Sequence, residues 1–479
     1  MTTQQNTSTL AAPPFAGLAR ALASDWTPLP VVLAGTFMVV LDFFIVNVAL
    51  PSMQTDLHAS GGAIEWVVAG YALTSAVFLI AAARAGDAIG RRRMFSIGLG
   101  LFTLASAACG VAPSPEMLVL ARLVQGVGAA LLMPNVLAII GVTYAGPKLA
   151  RALGTYGLVM GVAAASGQLI GGALVQADVF GLGWRSCFLI NVPIGLAALA
   201  LAPRLVPESR AQRTSRLDVA GTALLTAAVT AIVLPLVEGR QHGWPAWTWI
   251  SLAAAPVILL AFAVHQRRLA ARGGEPVLAP TLFASRAFSA GLVTQLVFWS
   301  GQASFFLVLA LYLQQGRGMS ALDSGLVFTI LAVSYVIASA QAPALVARHG
   351  RRLIAVGALV LASGHGLLLA AVAHIGIGGS IVELVPGLLA IGAGMGLLIV
   401  PLATTIMSCA EPEHAGAASG AMTTMQNVGA ALGVAVTGVI FFGALHGGYA
   451  HALELSLAQL GVLLLAVAGL TRLLPKVER

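Results

Sequence analysis

Charged residues are scarce in this sequence: they make up 9% of 479 positions, against roughly 25% in an ordinary soluble domain. A chain with so little charge, 58% hydrophobic residues and a mean hydropathy of +0.93 cannot cover a water-facing surface, which excludes a soluble globular protein. Cysteine is scarcer still. Cys109, Cys187 and Cys409 lie in or at the ends of separate apolar runs, with no CxxC pair and no histidine at ligand spacing. That excludes a disulfide framework and a cysteine metal site, and leaves three small packing residues. No HExxH, GxSxG or Walker A pattern occurs, which argues against a zinc hydrolase, a serine hydrolase and an ATP-driven pump. No metal or cofactor is implied. The loops are too short for a soluble signalling domain, and the start lacks the basic segment of a signal peptide, so it is expected to stay attached.

What the chain has in quantity is apolar runs. Crossing a hydrocarbon core of about 30 Å takes about 20 apolar residues. Runs of that order fall at 30–52, 64–84, 94–112, 116–140, 152–175, 187–203, 217–237, 246–264, 287–313, 323–342, 353–373, 382–405, 416–442 and 453–474. The expected fold is therefore an all-α integral membrane protein with 14 transmembrane helices.

With both termini placed in the cytoplasm, 21 of the 25 Lys and Arg residues fall in inner loops or tails. Only Arg185, Arg240 and Arg317 fall outside, and Arg122 alone lies within a span. This asymmetry follows the positive-inside rule, and one missed span near the middle would scramble it. The net charge of +8 thus needs no nucleic acid; the basic residues face an anionic leaflet of the lipid bilayer.

A repeat is also visible. "ARAGDAIGRRRMFSIG" (83–98) is echoed by "LVARHGRRLIAVG" (345–357), with Gly90, Arg91 and Arg92 matching Gly350, Arg351 and Arg352. Eight spans separate the equivalents, so the halves run parallel, an arrangement found in transporters. The expected organisation is a cytoplasmic tail (1–29), a six-helix bundle (30–203), a linker with two extra central helices (204–286), a second pseudo-symmetric six-helix bundle (287–474) and a short tail (475–479).

Five stretches resemble motifs of the major facilitator superfamily, within it the fourteen-span drug:proton antiporters. "LDFFIVNVALP" (41–51) is similar to the first-helix motif, with Phe44 in place of Thr, and "ARAGDAIGRRR" (83–93) to the inner-loop motif. "RLVQGVGAA" (122–130) resembles the fourth-helix motif. "ASGQLIGGAL" (165–174) resembles the fifth-helix antiporter motif with Gln168 where Pro is usual, and "WRSCFLINVPIG" (184–195) is typical of the same branch. The resemblance covers nearly the whole chain. It implies a secondary transporter of the inner membrane that exports drugs, antiseptics or secondary metabolites in exchange for protons by alternating access. A dedicated exporter of one metabolite or lipid-like molecule is the alternative, and a membrane-embedded enzyme or sensor a remote one. The expected partners are a small amphipathic substrate, protons and lipid, with the chain acting as a monomer.

The physics of single residues sharpens this reading. A carboxylate at the centre of a span costs about 2.5–3.5 kcal/mol on insertion scales, so Asp42 should face a water-filled cavity or a partner. Arg122 is within reach, and the two form either a permanent ion pair or a proton-linked switch. Asp87 beside Gly90, Arg91 and Arg92 is either a gating clamp or a solvated basic turn. The glycines of the fifth span, Gly154, Gly157 and Gly161 together with Gly167, Gly171 and Gly172, are expected to allow close packing against the other half. Glu65, in the first turn of the second span, is expected to snorkel to the outer interface, and His365 is either a core histidine or a proton carrier; both are secondary proton candidates. Asn47, Tyr71, Gln125, Gln168, Trp299, Gln302, Phe305, Met425, Gln426 and Asn427 are candidate lining for a substrate cavity. The topology predicts that a cysteine placed at position 210 is shielded from an impermeant thiol reagent in intact cells and one at 242 is labelled. The opposite pattern would invert the chain.

Overall fold

A computed structural model of the chain describes residues 26–210, 218–274, 276–277, 285–409 and 415–474. The expected tail segments 1–25 and 475–479, and parts of the linker, lie outside the described residues. Fourteen helices among the described residues are long and apolar enough to cross a membrane. They are α1 (Pro28–Asp56), α2 (Gly61–Ile89), α3 (Arg91–Gly110), α4 (Pro115–Thr143), α5 (Gly146–Ala177) and α6 (Gly183–Leu205). Next come α7 (Val219–Gln241) and α8 (Ala246–Ala271). The last six are α9 (Arg286–Leu311), α10 (Ala321–His349), α11 (Arg351–Ile375), α12 (Val385–Met407), α13 (Ala415–Ala444) and α14 (Tyr449–Leu470). Most outrun the expected spans by a few residues at each end, because a helix can continue past the hydrocarbon region once capped. Ser60, Ser114, Ser285 and Ser320 supply such caps, each side chain accepting from a backbone N–H three residues on. Gly90 (φ +127°) and Gly350 (φ +52°) adopt backbone angles that other residues resist, separating α2 from α3 and α10 from α11.

Packing repeats between α1–α6 and α9–α14. α1 packs on α5 and α6 as α9 packs on α13 and α14, and α4 packs on α2 and α3 as α12 packs on α10 and α11. Contacts between the two sets are made chiefly by α5 with α10 and by α2 with α13. Of the extra pair, α7 packs on α8 and also on both α2 and α13. Asp218 caps α7 by accepting from Gly221 N–H (2.8 Å), and it ties α8 through His265 Nε2 and Gln266 Nε2, both at 2.7 Å. Burial pushes this carboxyl up, but the bonds from His265, the Gly221 N–H and Gln266 prevail and hold it below the usual carboxylate range. The tie is therefore complete at neutral pH and is lost only as acid titrates Asp218.

Among the described residues, the named contacts between the two halves gather toward one end. At the end poor in arginine, Gly172 lies against the backbone of Ala321 and Leu322, and Gly325 against that of Gln168. Gln314 Nε2 donates to Val48 O (2.8 Å), Gln315 Nε2 to Gln54 Oε1 (2.9 Å), and the Phe44 and Phe306 rings meet edge-on at 5.3 Å. At the arginine-rich end the same face of α5 is bare. Gly154 and Gly172 are about five turns apart at 3.6 residues per turn, hence on one face. Yet Gly154, Gly157 and Gly161 have nothing within 4 Å of where a Cβ would sit. The expectation that the six α5 glycines pack against the other half is corrected: only Gly172 does, against α10, while Gly167 and Gly171 pack on α1 of the same half and the other three face open space. Among the described residues, α5 thus seals against α10 at the end poor in arginine and is bare toward the arginine-rich end. A cysteine replacing Gly157 should react with a bulky thiol reagent supplied from that end, while one replacing the buried seam residue Ser324 stays protected. Equal labelling of both would show that the seam is not closed.

Candidate functional site

Five helices bring polar groups to one buried point. Asp42 on α1 and Arg122 on α4 are 0% and 1% exposed, and Arg122 Nη1 lies 2.5 Å from Asp42 Oδ2. Gln125, one turn further along α4, donates Nε2 to Asp42 Oδ1 at 2.8 Å. Asn191 of α6 donates to the same oxygen at 3.2 Å and to Ser106 Oγ of α3 at 3.0 Å. The guanidinium is held in turn. Its Nε donates to Val67 O of α2 (2.9 Å), its Nη1 to Gln125 Oε1 (2.7 Å), and its Cζ stands 4.2 Å from the Tyr71 ring centroid. A charge pair taken out of water is tolerable only with such geometry, because each ion otherwise forfeits several kcal/mol of hydration. The planar fork of arginine is what allows one side chain to reach a carboxylate, an amide and a carbonyl together.

The pairing of Asp42 with Arg122 follows from their being isolated charges in apolar runs. Asn191 and Ser106 were not among the candidates. Asn191 stands as a polar letter inside "LINVPIG" and was open to recognition; Ser106, small and mid-helix, gives no signal.

At the inner-loop motif the acid that answers the arginines is Glu208, from the segment after α6. It accepts from the Arg92 N–H at 3.1 Å, and Arg92 Nε and Arg93 Nε lie 3.6 and 3.8 Å from its other oxygen. A carboxylate at the first turn of α3 also suits the positive end of the helix dipole. Gly90 is needed here because a Cβ would meet the Glu208 carboxylate at 2.7 Å. Arg92 further donates to Pro203 O and Val206 O, and the Arg91 N–H to Ser209 O. The side chain of Asp87 lies outside the described part of the structure. In the second half Arg351, among the described residues, donates to the carbonyls of Arg472 (3.0 Å) and Leu474 (2.6 Å), and Arg352 is exposed. The two loops are thus unlike: one closes on an acid, the other on backbone.

Of the cavity candidates, only Tyr71 and Gln125 join the Asp42 cluster. Gln168 and Gln302 are 3% and 1% exposed, and neither amide has a hydrogen-bond partner among the described residues. Asn47 bonds back to Phe43 O (2.9 Å), while its Oδ1 and the Tyr71 hydroxyl are unmatched. Unmatched buried groups cost about 1–3 kcal/mol each, so each calls for an explanation such as a ligand. Trp299 packs edge-on against Phe298, and Met425, Gln426 and Asn427 are half-buried along α13. His365 is buried, bonded to Leu361 O of its own helix (2.8 Å) and edge-on to Phe305 (5.0 Å), apart from the Asp42 cluster. Glu65 corrects the expectation of a snorkelling acid. It is 1% exposed, pressed against Gly438 of α13 in the seam between halves, because depth along a helix does not reveal which face a neighbour covers.

Fourteen spans, repeated packing of two sets of six helices and a charge pair buried in the first set are the frame of a multi-pass membrane transporter. The family model of the Major Facilitator Superfamily matches residues 32–434, and the chain belongs to that superfamily. It is 39% identical over 424 residues to the probable actinorhodin transporter of Streptomyces coelicolor, covering 88% of this chain and 73% of the relative. It is 36% identical to the cephamycin export protein CmcT of Amycolatopsis lactamdurans, covering 92% and 91%. It is 34% identical to the multidrug resistance protein Stp of Mycobacterium tuberculosis, covering 85% and 74%. Among solved structures, a POT family transporter in complex with 5-aminolevulinic acid superposes with a TM-score of 0.66 at 15% identity, over 95% of this chain and 96% of that one, a likeness of fold.

Removing one member of a buried ion pair typically costs about 3–5 kcal/mol, because the other charge is left unmatched. Arg122→Leu should therefore lower thermal stability in detergent by an amount in that range, and adding Asp42→Asn should recover a large part of it. Losses that simply add would mean the two charges are not coupled.

Proposed function

We propose that the protein is a proton-coupled exporter of small amphipathic compounds, working as a monomer in the inner membrane with both termini in the cytoplasm. The observation that carries this reading is the Asp42–Arg122 pair, buried on five helices of the first half. The positive-inside count supports placing the arginine-rich end, and with it the bare stretch of α5, in the cytoplasm. Substrate would then enter from the cytoplasm or inner leaflet and meet the unmatched amides of Gln168 and Gln302. Such groups suit neutral or singly charged molecules with hydrogen-bonding edges.

A proton reaching Asp42 converts an acceptor-only carboxylate into a neutral acid. The charge attraction to Arg122 is lost, while Val67 O and Gln125 Oε1 still hold the guanidinium. The pair thus has two charge states with different helix-to-helix attraction, and a gradient that loads and unloads Asp42 can bias the rocking of one half on the other. Glu208 on Arg92 and Arg93 would set how firmly the inner loop returns. Glu65 in the seam and His365 in the second half are the secondary candidates for carrying a proton.

A second reading is a dedicated exporter of one metabolite. The names of the actinorhodin and cephamycin relatives favour it, whereas that of Stp favours breadth. A panel of chemically unrelated labelled compounds separates the two.

The test of coupling is transport into inverted vesicles under an imposed proton gradient. Asp42→Asn keeps the side-chain volume but cannot take up the proton. It should abolish uphill accumulation of an amphipathic dye such as ethidium, at least tenfold, while the protein remains inserted. Full proton-driven uptake by that variant would move the coupling role elsewhere.

A further inference from the structure

An apolar recess lies away from the Asp42 cluster. It is a groove of about 770 Å³ between α2, α7 and α8, walled by Val77 and Phe78 on one side and floored by α7 from Val219 to Leu234. At 1.5 Å per residue that floor is about 22 Å long, more than half of a hydrocarbon core of about 30 Å. Thr222 and Thr226 lie on it one turn apart, yet their hydroxyls are satisfied within α7, donating to Asp218 O (2.9 Å) and Thr222 O (2.8 Å). Ser251 at the far end donates to Ala231 O (3.0 Å). The groove therefore presents chiefly methyl groups and small alanines, an elongated apolar channel rather than a polar pocket.

Its arginine-rich mouth is different. Asp218 there is fully engaged by the Gly221 N–H, His265 and Gln266, so its charge is turned inward. The next two residues of α8 after Gln266 are Arg267 and Arg268, both exposed. Two exposed guanidiniums that follow Gln266 directly, and have no ion-pair partner among the described residues, put positive charge at the end of α8 that is tied to the start of the groove floor, a setting for an acidic head above an apolar tail.

We propose that this groove binds an acyl chain of an anionic phospholipid of the inner leaflet, with the headgroup on Arg267 and Arg268. The leaflet follows from the topology given above; the binding site itself depends only on the groove and its mouth. Because α7 packs on α2 of one half and α13 of the other, the bound chain wedges the extra helices at the seam and makes lipid composition a control on the moving halves.

The test uses the full-length protein, delipidated in detergent and titrated with phosphatidylglycerol or with phosphatidylcholine of the same acyl chains, reading the shift in thermal unfolding and retained lipid by native mass spectrometry. Wild type should be stabilised at several-fold lower phosphatidylglycerol than phosphatidylcholine. Ala227→Trp, which fills the groove, should lose the response to both lipids. The milder Thr226→Leu serves if the tryptophan variant does not fold, and should weaken both. Arg267→Gln with Arg268→Gln should keep the response to phosphatidylcholine and lose the preference for the anionic lipid. Equal responses of wild type to the two lipids would overturn the proposal, as would a wild-type response in the groove variants. So would displacement of the retained lipid by ethidium, since that assigns the groove to cargo.

Discussion

A carboxylate within the hydrocarbon depth of a membrane cannot be left alone, and the first half of this protein is organised around meeting that demand. Asp42 receives Arg122, Gln125 and Asn191, and Arg122 in turn engages Val67 O and the Tyr71 ring. Those contacts fix where α1, α2, α3, α4 and α6 stand relative to one another, because none of the polar groups has an alternative partner in lipid. The same demand makes the site responsive: whatever changes the charge on Asp42 changes the forces among five helices at once.

The second organising feature is the small-residue face of α5. Where it meets α10, Gly172 and Gly325 let backbones come together and seal the seam; further along the same face, Gly154, Gly157 and Gly161 border open space. One helix thus supplies both a closed contact and an uncovered small-residue face. Small residues serve either state, since they allow close approach without requiring it. With Gln168 in the stretch where the related motif has proline, α5 runs unbroken from Gly146 to Ala177, so closure depends on glycine contacts rather than a proline kink.

The fold was legible because a run of about 20 apolar residues is the strongest structural signal a sequence carries, and arginine counts order those runs in the membrane. Asp42 and Arg122 were legible for the same reason, as lone charges against an apolar background. What escaped were partners set by helix packing. Asn191 lies 149 residues from Asp42, Glu208 is 116 from Arg92, and no local pattern announces either meeting. Glu65 was misjudged in the same way: its height in the membrane was readable, but not the α13 surface that covers it. Arg317 shows the converse, since a residue assigned only to topology donates to the carbonyls of Gly376 and Gly379 and so braces the turn after α11.

The central claim is that Asp42 carries the proton exchanged for substrate. The most direct measurement is proton release on substrate binding, followed in weakly buffered detergent solution with purified protein and a compound established as exported. Wild type should release protons in proportion to bound substrate, and Asp42→Asn should bind with no release. Equal release by both proteins would contradict the account.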